Sequence, residues 1–253
     1  MKRLAITLLA AFAATAQGAK TADSDAYLQG LWSGEQKLKQ ATSQWQDRPW
    51  GQCFKETADK YQLSPDWLLA LARGESDFDP KAVSKANAIG LMQIQWPGTA
   101  KHLGVQQRAK LFEPCTNIEA GGRYFRELLD RFNNNPHHAF AAYNYGPTRI
   151  ARLTEAGRGL PDGARWYSAY IYDHLQKIRT GKLATGQRIE LIAFTKAFRA
   201  RAFKEYLQGQ IPKAAFDWFA TPLGKFKITV TPNGAVNRQQ LRRQLIKLGI
   251  RMK

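Results

Sequence analysis

A glutamate closes a strongly apolar run in this chain. Trp67-Leu68-Leu69-Ala70-Leu71-Ala72 leads through Arg73-Gly74 into Glu75-Ser76-Asp77-Phe78-Asp79-Pro80. A helix that is apolar on every side reads as buried, so its last turn would hold a carboxyl group against a low-dielectric wall. Burial disfavours the charged form and raises a carboxyl pKa, which a general acid working near neutral pH requires. The plainer alternative is that Glu75 forms a surface ion pair with Arg73 or Lys81. Asp77 and Asp79 are the only other carboxylates close by in sequence. Asp77 would leave the face of Glu75 if the helix continued, and Asp79 suits a turn before Pro80, so neither is expected to be a required second carboxylate. His102, His137, His138 and His174 lack ligand spacing, and adjacent His137-His138 reads as a solvated loop pair. No metal and no cofactor are expected.

The elements that must position Glu75 are mostly helical. Cys53 to Gln62 carries Phe54, Ala58 and Tyr61 on one face. Ser64-Pro65 reads as an N-cap with proline at the first helical position, and the helix through Trp67 to about Ser76 is stopped by Asp79-Pro80. Asn87 to Gln95 is a loop in which Gly90 implies close approach of the backbone or a positive φ, and a short helix with Pro97 near its start follows. A second strong helix begins near Thr116-Asn117, with Ile118, Tyr124, Phe125, Leu128, Leu129 and Phe132 at helical spacing. Asn133-Asn134-Asn135-Pro136 ends it. Another runs from His137 to Tyr143 and breaks at Asn144-Tyr145-Gly146-Pro147. Residues 163–179 form an amphipathic helix, and no strand is expected between 53 and 179.

After Thr180-Gly181 the pattern changes. Glu190 to Phe194, Phe216 to Phe219 and the alternating Lys225 to Thr231 read as strands. Helices are expected from about Lys196 to Leu207 and from Arg238 to Leu248. The fold class is thus a mainly α domain with a small C-terminal α+β module in the order βαββα. The expected division is a signal peptide over 1–19, a partly helical lead-in over 20–50 with Trp32, Trp45 and Trp50, the helical domain over 51–180, a linker over 181–187 and the module over 188–253.

Charge and the N-terminus narrow the partners. The 38 Lys plus Arg against 20 Asp plus Glu give a formal net charge of +18, which favours an acidic partner. The segment 188–253 holds 14 basic and 3 acidic side chains. Met1-Lys2-Arg3, the apolar run Leu4 to Ala14 and Ala14-Thr15-Ala16 have the layout of an export signal, cleaved near residues 16–19. The run is too short to span a bilayer. Export disfavours nucleic acid as the partner and points to envelope polyanions. In an oxidising compartment Cys53 and Cys115 read as one disulfide.

Residues from about 53 to 180 resemble the catalytic domain of the soluble lytic transglycosylase family, relatives of goose-type lysozyme. The blocks that carry the likeness are Glu75-Ser76 with Phe78-Asp79-Pro80; Ala88 to Ile94; Pro114 with Asn117-Ile118 and Gly121 or Gly122; and Ala142 to Pro147. The resemblance implies a lysozyme-like fold in which Glu75 is the single catalytic acid/base. It would cleave the bond between N-acetylmuramic acid and N-acetylglucosamine of peptidoglycan and leave a 1,6-anhydro product. It also implies that Ser76 braces the loop around Glu75, that Gln93 and Asn144 bind sugar groups through their amides, and that Met92 and Tyr143 line the groove. Tyr167, or else Tyr170, would be the tyrosine near the acid. Gly90, Asn117 and Gly146 take structural roles. Two departures stand out: Tyr145 replaces the usual alanine between asparagine and glycine, and the acidic-Thr-Arg approach to the last tyrosine appears as Asp162-Gly163-Ala164-Arg165.

The cysteine before Asn117 is similar to those of the smaller secretion-, pilus- and conjugation-associated members, so an envelope apparatus is an expected partner beside the glycan strands. The location implied is the periplasm. The C-terminal module faintly resembles the sporulation-related repeat that binds stripped glycan strands, and it equally suits a basic appendage docking on an envelope protein or a membrane surface. The rival functions are a hydrolase of the same bond and a non-catalytic wall-binding or secretion-scaffold protein.

Overall fold

The apolar run before Glu75 folds as the helix its composition implies. In the computed structural model, which describes residues 24–37, 45, 48–180, 188–221, 224–233, 235–250 and 252, helix Pro65–Ser76 has every residue from Asp66 to Gly74 buried. Pro65 opens it at the first helical position, and Ser64 stands at the N-cap in extended conformation without making the side-chain cap bond. The segments read as export signal (1–19) and linker (181–187) lie outside the described residues.

In chain order the helices are α1 (Asp25–Lys37), α2 (Gly51–Tyr61), α3 (Pro65–Ser76), α4 (Gly98–His102), α5 (Pro114–Arg131), α6 (Pro136–Tyr145), α7 (Pro147–Glu155), α8 (Asp162–Arg179), α9 (Ala197–Gln210) and α10 (Arg238–Lys247). The strands are β1 (Ala88–Ile89), β2 (Ile94–Gln95), β3 (Ile189–Phe194), β4 (Ala215–Ala220) and β5 (Phe226–Thr231), and a 3₁₀ turn spans Arg108–Phe112. The chain divides into two compact units, one drawn from 1–42 and 123–173, the other from 43–122 and 174–253. This differs from the expected division, because the C-terminal module shares a unit with residues 43–122.

The second unit holds α2, α3 and the module. The expectation of no strand between 53 and 179 is corrected there: β1 and β2 pair antiparallel, Ala88 opposite Gln95 and Ile89 opposite Ile94. Strands of two residues carry no readable period. A disulfide joins Cys53 of α2 to Cys115 at the head of α5, with Cα atoms 5.3 Å apart. Closing a loop of this length is worth about 4 kcal/mol in the chain-entropy account. The module has the expected βαββα order. Its sheet runs β3-β5-β4, antiparallel throughout, and the central strand β5 buries Ile228 and Val230 completely. Asn237 and Gln240 form a capping box at the start of α10.

In the first unit the lead-in residue Trp32 is fully buried, stacked on Phe140 with ring centroids 4.2 Å apart. A buried polar relay ties α1 down. Trp32 Nε1–H donates to Ser168 Oγ at 2.9 Å, Ser168 Oγ lies 2.8 Å from His137 Nδ1, and His137 Nε2 lies 3.2 Å from Asp25 Oδ1. Asp25 Oδ2 then accepts the Leu160 N–H at 2.8 Å. Ser168 accepts from the indole and donates its O–H hydrogen bond to Nδ1, which assigns His137 as the tautomer with its proton on Nε2, facing Asp25. Burial pushes the His137 pKa down to about 4, against the hydrogen bond to Asp25. The reading of His137-His138 as a solvated loop pair is therefore wrong. His137 has no exposed surface, and half-buried His138 lies 3.2 Å from Gln29 Nε2. Pro136 starts α6 under both of them; the polar pair looked like loop because its partners, Asp25, Gln29 and Ser168, are distant in sequence.

Candidate active site

Glu75 is the half-buried penultimate residue of α3. The turn that follows it is unusual: Asp77 and Phe78 both adopt left-handed backbone, φ 56° and 61°, a region non-glycine residues enter rarely. The Asp77 N–H bonds back to the Ala72 and Arg73 carbonyls, and the Phe78 ring meets Phe54 edge-on at 6.3 Å. Arg73 takes Asp77 and Asp217 as partners. The carboxylates nearest Glu75 in sequence are thus occupied: Asp77 bonds Arg73 and Arg188, while Asp79 Oδ1 accepts the Lys81 N–H at 2.8 Å. Burial raises the Asp77 pKa, with both guanidiniums pulling the other way.

Ser76 joins this turn to the glycine loop. Its hydroxyl donates to the Leu91 carbonyl at 2.8 Å and accepts the Asp79 N–H at 3.2 Å. Being buried, it braces the loop and does not offer its side chain to a ligand. Gly90 has φ 78°, and a Cβ there would lie 2.5 Å from both Asn117 Nδ2 and the Leu111 carbonyl oxygen, so two separate constraints require glycine. Asn117, with no exposed surface, clamps the loop. Its Oδ1 accepts the Met92 N–H at 2.7 Å, and its Nδ2 donates to the Ile89 and Leu111 carbonyls at 2.9 Å each.

Met92 departs from the groove-lining expectation. It is 0% exposed and fills the space left by Gly121, where a Cβ would come within 2.7 Å of its side chain. Its role here is packing. Gln93, half-buried with φ 49°, donates its amide to the Gly90 carbonyl at 3.0 Å.

Tyr143, Asn144, Gly146 and Tyr167 belong to the other unit. Asn144 is exposed in the last turn of α6, and half-buried Tyr143 lies 5.2 Å from the Tyr124 ring. Gly146, φ 85°, ends α6 and opens α7. Tyr167 and Tyr170 are both buried, their rings 6.4 Å apart, and Tyr170 stacks on Trp166 at 5.0 Å.

The two departures from the family pattern meet in space. A Cβ on Gly163 would lie 1.7 Å from the phenol oxygen of Tyr145. The larger residue at 145 therefore occupies room that only glycine at 163 leaves, and Arg149 covers the same ring at 5.1 Å. The coupling was invisible along the chain, although each position was legible by itself as a departure.

Reading along the chain also missed a row of charges behind the Glu75 turn. Asp217 on β4 receives Lys177 Nζ at 2.5 Å and Arg73 Nη2 at 2.7 Å. Burial opposes its ionisation, but Lys177 and Arg73 more than offset this and hold its pKa below the usual carboxylate range. Burial keeps neighbouring His174 neutral, its pKa well below normal. Nothing in the spacing of residues 73, 177 and 217 announces the cluster.

Fold and site together define a mainly helical protein in which the end of α3 carries a glutamate, a braced turn and a glycine loop clamped by a buried asparagine. Residues 52–161 match the family model described as "Transglycosylase SLT domain", and this stretch is similar to lytic murein transglycosylases. Among its relatives, the soluble lytic murein transglycosylase of Escherichia coli K12 is 38% identical over 104 residues, which cover 38% of this chain and 16% of the relative. The membrane-bound lytic murein transglycosylase F 1 of Alkalilimnicola ehrlichii is 39% identical over 132 residues, 48% of this chain and 25% of the relative. The solved 70 kDa soluble lytic transglycosylase of Escherichia coli is 30% identical with a TM-score of 0.48, covering 53% of this chain and 25% of that one. The first curated relatives are matched over less than a fifth of their own length. No described helix is long and apolar enough to cross a membrane.

Proposed function

We propose that this chain is a peptidoglycan lytic transglycosylase with Glu75 as its sole catalytic acid/base. The observation that carries the reading is the position of Glu75: inside the matched region 52–161, at the end of buried α3, with Ser76 braced on Leu91.

In the proposed reaction the Glu75 carboxylic acid gives its proton to the oxygen bridging N-acetylmuramic acid and N-acetylglucosamine, and the bond from C1 to that oxygen breaks. The 6-hydroxyl of the muramyl residue then attacks C1, while the Glu75 carboxylate takes the hydroxyl proton and returns to the acid. No water is consumed. Most glycosidases use two carboxylates; here the substrate's own acetamido group would meet the developing charge. The engagement of Asp77 and Asp79 elsewhere supports a single-acid route. Asn144 and Gln93 would contribute amide contacts to the glycan, and Tyr143 and Tyr167 aromatic ones. The export signal read at 1–19 and the charge of +18 support a periplasmic site of action on a wall rich in carboxylates. The service of a secretion, pilus or conjugation apparatus is part of the same proposal.

Digestion of purified sacculi tests it. Intramolecular attack adds no water, so product muropeptides should be lighter by about 18 Da than those of a hydrolase. Glu75→Gln keeps the shape and removes the proton, and should lower release by about 10²–10⁴-fold, the usual worth of general acid–base catalysis. Hydrated products would establish the hydrolase instead. Unchanged release by the variant would remove Glu75 from the chemistry, and a wild type that binds sacculi but releases nothing would favour a scaffold.

A further inference from the structure

The turn after Glu75 is gripped from the C-terminal module. Charges of alternating sign run from Lys177 through Asp217, Arg73 and Asp77 to Arg188. Asp217 lies on β4, and Arg188 immediately precedes β3. Phe219, also on β4, packs against both guanidiniums, its centroid 4.3 Å from Arg73 Cζ and 5.0 Å from Arg188 Cζ. The planar fork of arginine holds a fixed orientation in such paired and stacked settings. Arg73 and Asp77 stand two residues before and two after Glu75, so the row brackets the acid. Left-handed backbone at two consecutive non-glycine residues persists only where the surroundings over-determine it. At Asp77 those surroundings are two guanidiniums, one oriented by Asp217 and Phe219 and the other supplied by residue 188.

We propose that the βαββα module is a positioning element of the catalytic site. Asp217, acting through Arg73, and Arg188, acting directly on Asp77, fix the turn that orients Glu75. The catalytic part of this proposal rests on the reading of Glu75 as the acid. It makes the module something other than a detachable appendage, since removing its anchors frees the backbone next to the proton donor. Neither Asp217 nor Arg188 is assigned any contact with substrate.

The test uses the full chain with Asp217→Asn, Arg188→Gln and Arg188→Lys, and a control, Lys227→Gln, that breaks the exposed Lys227–Glu190 pair elsewhere in the module. Initial rates are read against concentration on solubilised peptidoglycan strands, and backbone hydrogen exchange is read over residues 77–79. Asp217→Asn should lower kcat at least ten-fold and Arg188→Gln at least three-fold, with KM within two-fold of wild type and the control unchanged. Arg188→Lys should recover part of the loss. Exchange at 77–79 should accelerate about ten-fold or more, while β5 and the disulfide-linked α2 keep their protection. If Asp217→Asn fails to fold, Arg188→Gln, at a more exposed site, carries the test.

Folded variants with wild-type kcat and wild-type exchange overturn the proposal. So does a raised KM at unchanged kcat, which would make the module a substrate-binding surface. A wild type that releases no product overturns the assignment of Glu75 and with it the catalytic part. In that case exchange at 77–79 still decides whether the module holds the turn.

Discussion

Replacing Asn117 by alanine should cost about 3–5 kcal/mol of folding free energy, since three buried hydrogen bonds are lost. They run to the Met92 N–H at 2.7 Å and to the Ile89 and Leu111 carbonyls at 2.9 Å each. A buried polar group stripped of its partner costs about 1–3 kcal/mol, so three set an upper range of about 3–9 kcal/mol. Relaxation of the loop and entry of a water into the vacated space recover part of that. Whole domains are stable by about 5–15 kcal/mol, so the variant should fold with a much lower urea midpoint. Asn117→Asp should do no better than alanine: it keeps the acceptor for Met92 but turns carboxylate oxygen toward two carbonyls. Urea unfolding with the disulfide intact, compared at equal m-value, measures the loss. A deficit below about 1 kcal/mol for Asn117→Ala would refute the claim that this side chain holds the Gly90 loop, because a single unmet buried group already costs that much.

Gly122→Ala should destabilise the protein although alanine is the better helix former by about 1 kcal/mol. The new Cβ would stand 2.3 Å from Thr57 Cγ2, an overpacking worth about 1–3 kcal/mol; a raised Tm would contradict this. Gly163→Thr should lose about 2 kcal/mol by collision with Tyr145, and Tyr145→Ala in the same chain should restore most of it. Strict additivity in that double-mutant cycle would show that the two departures are independent. His137, with a folded pKa of about 4 against 6.5 unperturbed, makes stability depend on pH. The unfolded chain takes up the proton first, so the stabilisation is complete above about pH 6.5 and is lost as pH falls toward 4, roughly 3 kcal/mol in all. His137→Gln should flatten the slope of urea midpoint against pH over that window. Parallel slopes for the two proteins would exclude His137 as the source.

Much of the helical framework was legible in the chain. The apolar run to Ser76, the Asn133–Pro136 break and the alternation at 225–231 each state a local preference, and each produced its element within a few residues. The candidate acid was legible for the same reason, since a carboxylate ending an apolar helix is a local pattern. Roles that depend on distant partners were not. Met92 looked like a groove residue until the space left by Gly121 accounted for it. The histidine pair looked like loop until Asp25 and Ser168 enclosed His137.

What the sequence by itself determined is where most of the longer elements lie and which of them carries the glutamate, because periodicity, caps and breakers act over a few residues. Only the tertiary structure decided that Tyr145 and Gly163 share one space, and that Asp217, 144 positions beyond Arg73 in the chain, pairs with it two residues before Glu75. Charge pairing and excluded volume act through space, so two residues far apart in the chain carry no mark of each other until the backbone brings them within contact.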